Sequence, residues 1–159
     1  MSSGLLMERL HFAKGIDPVA DAFAGTVYSD VYSMRDLQRG IFVIYGGVAT
    51  GGTGASTITV EACDDTTPSN TSAIAFTSRE IAATDAESAI TARATTGYVG
   101  TAGSSKVTLV EVREDALAAS GYGFVRLKLV ESVNDPVVGC VLFIGESKVP
   151  SASKTSILA

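Results

Sequence analysis

Two stretches of this chain alternate apolar and polar residues with a period of two, which limits them to β-strands with one covered face and one wet face. From Phe124 to Glu131, Val125, Leu127 and Leu129 fall on one side and Arg126 and Lys128 on the other. From Thr57 to Ala62, Ile58, Val60 and Ala62 oppose Thr57, Thr59 and Glu61. Further strands follow from the same reasoning. Ile41 to Tyr45 and Val137 to Ile144 are continuously apolar, the pattern of central strands covered on both faces. Lys106 to Val112 slips its period between Leu109 and Val110, which implies either a β-bulge or apolar cover on both sides.

Between these strands the chain turns on Gly, Asn, Asp and Pro. The Gly-rich stretch Gly46 to Gly54 reads as a hairpin connection, Asp64 to Asn70 as a loop, and Asn134-Asp135-Pro136 as a turn. Ala73 to Ile81 reads as a strand with Ile74, Phe76 and Ser78 on one face. The Ala content and acidic start of Asp85 to Arg93 permit a short helix, but Thr95, Thr96, Gly97, Gly100 and Gly103 soon end that tendency, so the segment reads as an excursion over one end of the sheets, and Glu114 to Ser120 reads as one helical turn. The resulting expectation is an all-β fold: a single jelly-roll-like β-sandwich of about seven or eight strands. Residues 1–25 lack either period and read as an extended N-terminal arm, residues 26–146 as the core, and residues 147–159 as a flexible C-terminal tail.

Composition narrows the function. Charged residues make up 18% of the chain against a norm of about 25%, so the salt-rich surface of a monomer is under-supplied and much of the surface is expected to face protein. The net charge is −5, and the segment 61–90 alone carries six acidic residues against Arg79. Without a Lys or Arg cluster, the positive footprint that holds phosphate backbones is missing, so nucleic acid is not an expected partner. Membrane insertion is not expected either, because Val137 to Ile144 is far shorter than the roughly 20 residues that span a bilayer. Cys63 and Cys140 lie far apart in apolar runs and read as buried free thiols, which suits folding inside a cell.

Chemistry-bearing groups are sparse. The Gly46–Gly54 stretch lacks the Lys followed by Ser or Thr of a phosphate loop. The single histidine, His11, lies in the arm with no nucleophile elbow or second base to work with. Asp64 and Asp65, with Asp85 and Glu87, do not have calcium-loop spacing. A sugar cleft built on such carboxylates would want aromatic platforms, yet the chain has no Trp. Tyr28, Tyr32, Tyr45, Tyr98 and Tyr122 are read as strand-end or subunit-contact residues, and Asn70-Thr71-Ser72 as plain loop. No catalytic residue, cofactor or metal is therefore expected, and the chain is not read as an enzyme. The candidate assembly contacts are apolar residues on the terminal segments, Leu5, Leu6, Leu10, Phe12, Phe23, Ile157 and Leu158, which would be exposed unless another surface received them.

The order of Pro18-Val-Ala-Asp-Ala-Phe23, Ser33-Met-Arg-Asp-Leu-Gln-Arg-Gly-Ile-Phe-Val-Ile-Tyr45, Thr57-Ile-Thr-Val-Glu-Ala-Cys-Asp-Asp65 and Gly121-Tyr-Gly-Phe-Val-Arg-Leu-Lys128 resembles the head decoration, or cement, proteins of tailed bacteriophages. The resemblance spans most of residues 18–145 and lies in strand patterns rather than reactive signatures. It implies a β-sandwich on the capsid exterior, made in the bacterial cytoplasm. Its partners would be the major capsid protein and copies of itself, in a trimer by preference or a dimer. Two alternatives are a carbohydrate-binding sandwich of a phage tail or surface protein, which would use Tyr28, Tyr32 or Tyr98, and a head-completion or tail subunit.

Overall fold

A computed structural model describes residues 5–149 and residue 157. Its elements in chain order begin with α1 (Leu6–Arg9), β1 (Leu10–Val19), β2 (Thr26–Tyr28), β3 (Tyr32–Ser33), β4 (Leu37–Ala49) and β5 (Ala55–Cys63). Next come β6 (Thr71–Ile74), β7 (Phe76–Ala83), β8 (Ala86–Glu87), β9 (Thr91–Arg93) and β10 (Tyr98–Val99). The last are β11 (Lys106–Arg113), α2 (Glu114–Ala118), β12 (Phe124–Val133) and β13 (Val137–Ser147). The strands form two antiparallel sheets packed as a sandwich. A seven-stranded sheet runs β1-β13-β4-β11-β7-β8 with β9 also on β7, and a six-stranded sheet runs β10-β5-β12-β2 with β3 on β12 and β6 on β5.

The clean alternations behave as their period requires. Val125, Leu127 and Leu129 of β12 and Ile58, Val60 and Ala62 of β5 are buried, and they meet Phe42 and Ile44 of β4, Val110 and Val112 of β11, and Val141 and Phe143 of β13. At the centre, Tyr32 stacks on Phe143 with ring centroids 4.2 Å apart, and Phe42 sits 4.9 Å from the same ring. This aromatic trio needs a gap in the sheet beneath it. Gly40 in β4 provides it, while Gly145, opposite it in the β4–β13 ladder, makes room for Leu37. A Cβ on Gly40 would lie 2.6 Å from Cε2 of Phe143. Gly40→Ala is therefore expected to lower the unfolding free energy by about 1–3 kcal/mol through overpacking, read by denaturant titration.

Four expectations meet a different arrangement. Residues 10–19 do not extend as an arm. They form the edge strand β1, antiparallel to β13, and the Tyr32 hydroxyl donates to the Lys14 carbonyl at 2.6 Å. The period is hidden because register shifts interrupt the pairing on either side of Ile16. Gly46–Gly54 does not close a hairpin: β4 lies between β13 and β11, whereas β5 belongs to the other sheet, so the stretch crosses the sandwich. Asp85–Arg93 is not helical. It contains β8 and β9, which pair with β7, and the Glu80 amide and carbonyl bond Ser88 Oγ and the Ser88 amide. The 73–81 strand breaks at Ala75 into β6 and β7, which belong to different sheets, although Ile74, Phe76 and Ser78 are all buried. The single helical turn expected at 114–120 is present as α2.

Candidate functional site

The Gly-rich crossing does gather backbone N–H groups into an anion cradle, and the chain fills that cradle itself. The amides of Gly51, Thr53 and Gly54 donate to the Asp135 carboxylate at 2.6, 2.7 and 3.1 Å. These bonds favour the charged form and hold the Asp135 carboxyl below the ordinary carboxylate range. Asp64 is engaged in the same way by Ser69 and Asn70, with the Asn70 side chain the largest cause of a lowering to about 2. Asp65 caps Thr66. Among the described residues no group of three or more His, Cys, Asp or Glu stands together in a metal-binding arrangement.

The tyrosines are similarly occupied. Tyr32 is fully buried, the Arg93 guanidinium lies 3.7 Å from the centre of the Tyr98 ring, and the Arg126 guanidinium lies 4.1 Å from that of Tyr28. Tyr32 therefore offers no open face, whereas Tyr28 carries its cation and remains 43% exposed.

The distinctive surface is the outer face of the seven-stranded sheet. Cross-strand register places Phe12, Ile144 and Ile41 in one row, Leu142, Val43 and Leu109 in the next, and Cys140, Tyr45, Val107 and Ile81 in a third. None of these is in the buried core. Leu142, Phe12 and Tyr45 are 42%, 50% and 53% exposed, and the others are half-buried by their neighbours on the sheet. Beyond the third row, Val138 is also exposed. Strands β4, β11 and β13 are thus apolar on both faces, yet the described chain covers one of them. This also settles the slipped period in β11: pairing with β4 and β7 is continuous, and Val107 and Leu109 simply face outward.

Charge borders this surface without leaving any residue of sign. Glu146 pairs with Arg39 at 2.8 Å and Arg9 at 3.0 Å, Lys14 pairs with Asp17 at 2.8 Å, and Arg79 pairs with Glu87. The opposite sheet differs. Its outer face carries Glu61 opposite Arg126 at 2.7 Å, with Lys128 3.5 Å from the same carboxylate and both cations over Tyr28. That face has the polar chemistry of a surface that stays wet.

The expected assembly contacts divide between the two sides of the fold. Leu5 and Leu6, with Met7, are 65–70% exposed on the turn preceding β1, and Leu10 and Phe12 point outward on β1 at the border of the apolar face. Phe23 and Ile157 face the other way. Phe23 packs against the core with its ring over Gly139, and Ile157 is buried in the core with its carbonyl accepting from the Ser33 amide at 2.9 Å. The tail thus returns to its own domain at residue 157, while Leu158 lies outside the described residues. Of the two cysteines, Cys63 is buried and its thiol is pushed up to about 11 by desolvation, whereas Cys140 is partly exposed on the apolar face rather than buried as expected. Sequence reasoning did not name Ile41, Val43, Leu109, Cys140, Leu142 and Ile144 as site residues, although the unbroken apolar runs 41–45 and 137–144 carried the signal. Compared with known proteins, the chain matches no protein-family model, no curated protein and no solved structure.

Proposed function

We propose that this chain is a structural virion protein that binds the outer surface of a tailed-phage capsid and stabilises it. The observation that carries the reading is an apolar sheet face and an apolar N-terminal turn that the described chain does not cover, in a fold whose backbone anion cradles are already filled by its own carboxylates. Such surfaces suit permanent, comparatively apolar interfaces of an assembly. The sequence resemblance to head decoration proteins gives the assembly its identity. In this reading the turn bearing Leu5, Leu6 and Met7 reaches the major capsid protein, while the sandwich joins copies of itself on the capsid exterior.

Co-sedimentation with undecorated heads of the encoding phage tests the proposal. The full chain is expected to pellet with heads in saturable, stoichiometric amount. Deletion of residues 1–9 is expected to abolish pelleting and leave the β-sheet circular dichroism spectrum unchanged. The cut belongs before Leu10, because removing residues 1–20 would strip β1 from its sheet. Folded full-length protein that stays in the supernatant at every concentration would overturn the proposal.

A further inference from the structure

The outer face of the seven-stranded sheet has three properties that bear on what covers it. It is broad: from β1 to β7 it is five strands wide, and the apolar rows run from Val138 to Ile144 on β13. At about 4.8 Å between strands and about 3.3 Å per residue this is roughly 20 Å in each direction. That is about 400 Å² in plan, about half of the roughly 800 Å² per partner buried in a stable protein interface, with the bordering ion-paired side chains to add to it. It is also electrically neutral. Its bordering charges are Arg9, Lys14, Arg39, Arg79 and Arg113 against Asp17, Glu87, Glu111, Asp115 and Glu146, five of each sign, with Arg39 also 3.9 Å from Glu111 and Arg113 3.5 Å from Asp115, while the whole chain carries −5. Finally, the buried Nε of Arg79, beside Leu109 in the second row, has no hydrogen-bond partner among the described residues.

We infer that this face packs against the same face of a second copy of the chain, in a two-fold, sheet-on-sheet dimer. The inference deepens the self-association part of the proposed function and rests on that reading of the chain as a structural subunit, but it does not require capsid binding. Neutrality is the deciding property. A partner recognised by charge would be met by unpaired charge, and a net-negative chain pairing with itself must keep its excess acidity away from the contact; here the excess lies elsewhere and the contact surface sums to zero. Sheet geometry selects the symmetry. Two sheet faces stack as sandwich sheets do, about 10 Å apart and rotated by about 30°, whereas three sheet faces cannot all stack on one another. Val43 and Leu142 lie side by side in the middle row, with Cys140 in the adjacent row.

The full chain, purified alone, is examined by analytical ultracentrifugation and by the rate of Cys140 alkylation over about 1–100 μM, the range in which a modest homodimer forms and dissociates. A dimer mass is expected, with alkylation slowing as concentration rises. Val43→Glu is expected to be monomeric, with dissociation at least about a hundredfold easier and alkylation independent of concentration. Leu142→Lys should behave alike, and Thr26→Glu, on the outer face of the other sheet, should remain dimeric. A monomer throughout the range, a trimer, or a dimer indifferent to both face substitutions would overturn the inference. The wild-type alkylation series stands without any variant. A monomer that still pellets with phage heads, its Cys140 protected only there, would assign the face to the capsid and leave the proposed function intact; a dimer that ignores heads would do the reverse.

Discussion

Phe143→Ala should lower the unfolding free energy by about 3–5 kcal/mol, the upper range for truncating a buried aromatic. Phe143 is fully buried, stacked on Tyr32 and in contact with Phe42, so its loss removes one ring from a trio that joins β3, β4 and β13. The void cannot be filled cheaply from the sheet below it, because Gly40 under the ring has no side chain to collapse inward. Tyr32 would also lose the surface that positions its hydroxyl under β1. Equilibrium denaturant unfolding measures the effect. A loss below about 1 kcal/mol would mean that the core repacks around the gap and that the trio is not the keystone described here. The cycle with Gly40→Ala adds a signature: the double variant should lose clearly less than the sum, since removing the ring relieves the clash with the new methyl group.

Asp135→Asn should lower Tm by roughly 5–10 °C and blunt the acid sensitivity of the fold. One carboxylate receives three backbone amides and the Thr53 hydroxyl, and these bonds fix the crossing that carries the chain from one sheet to the other. An asparagine presents one oxygen and an NH2 group where two acceptor oxygens are required, so at least one amide is left facing a donor. The pH dependence follows from the direction of the shift. Because the folded carboxyl titrates lower than the unfolded one, the stabilisation is complete above an unfolded value of about 4 and is lost as pH falls through the folded value. Asp64, lowered to about 2, acts in the same sense. Wild type should therefore lose stability steadily from about pH 4 to pH 2, and Asp135→Asn less steeply, in thermal melts taken across that window. Equal slopes would mean that the crossing is held by its backbone alone.

Where one face is apolar and the other wet, as in 57–62 and 124–131, the sequence alone was enough to place the strands and their inward residues, because a one-residue slip would bury Arg126 and Lys128. Where both faces are apolar, as in 41–45 and 137–144, the strands were legible as central, but not which of their faces the chain itself would cover. The N-terminal edge strand was hidden by Gly15 and by the register shifts around it, which break the period, and its attachment depends on Tyr32, a residue far along the chain. Ile157 looked like part of a free tail for a related reason: its partner is the Ser33 amide, and no local pattern encodes a contact over that separation. The Gly46–Gly54 stretch was legible as a turn but not as a crossing, since its anchor is the distant Asp135. The exposed leucines before β1 were read directly from their lack of any period.

The proposed reinforcement of a capsid from outside should show in the temperature at which undecorated heads of the encoding phage release their DNA, measured with and without saturating protein. A higher release temperature is expected, climbing with occupancy and levelling off when the sites are filled. Protein that is folded and bound yet leaves the release temperature unchanged would contradict it.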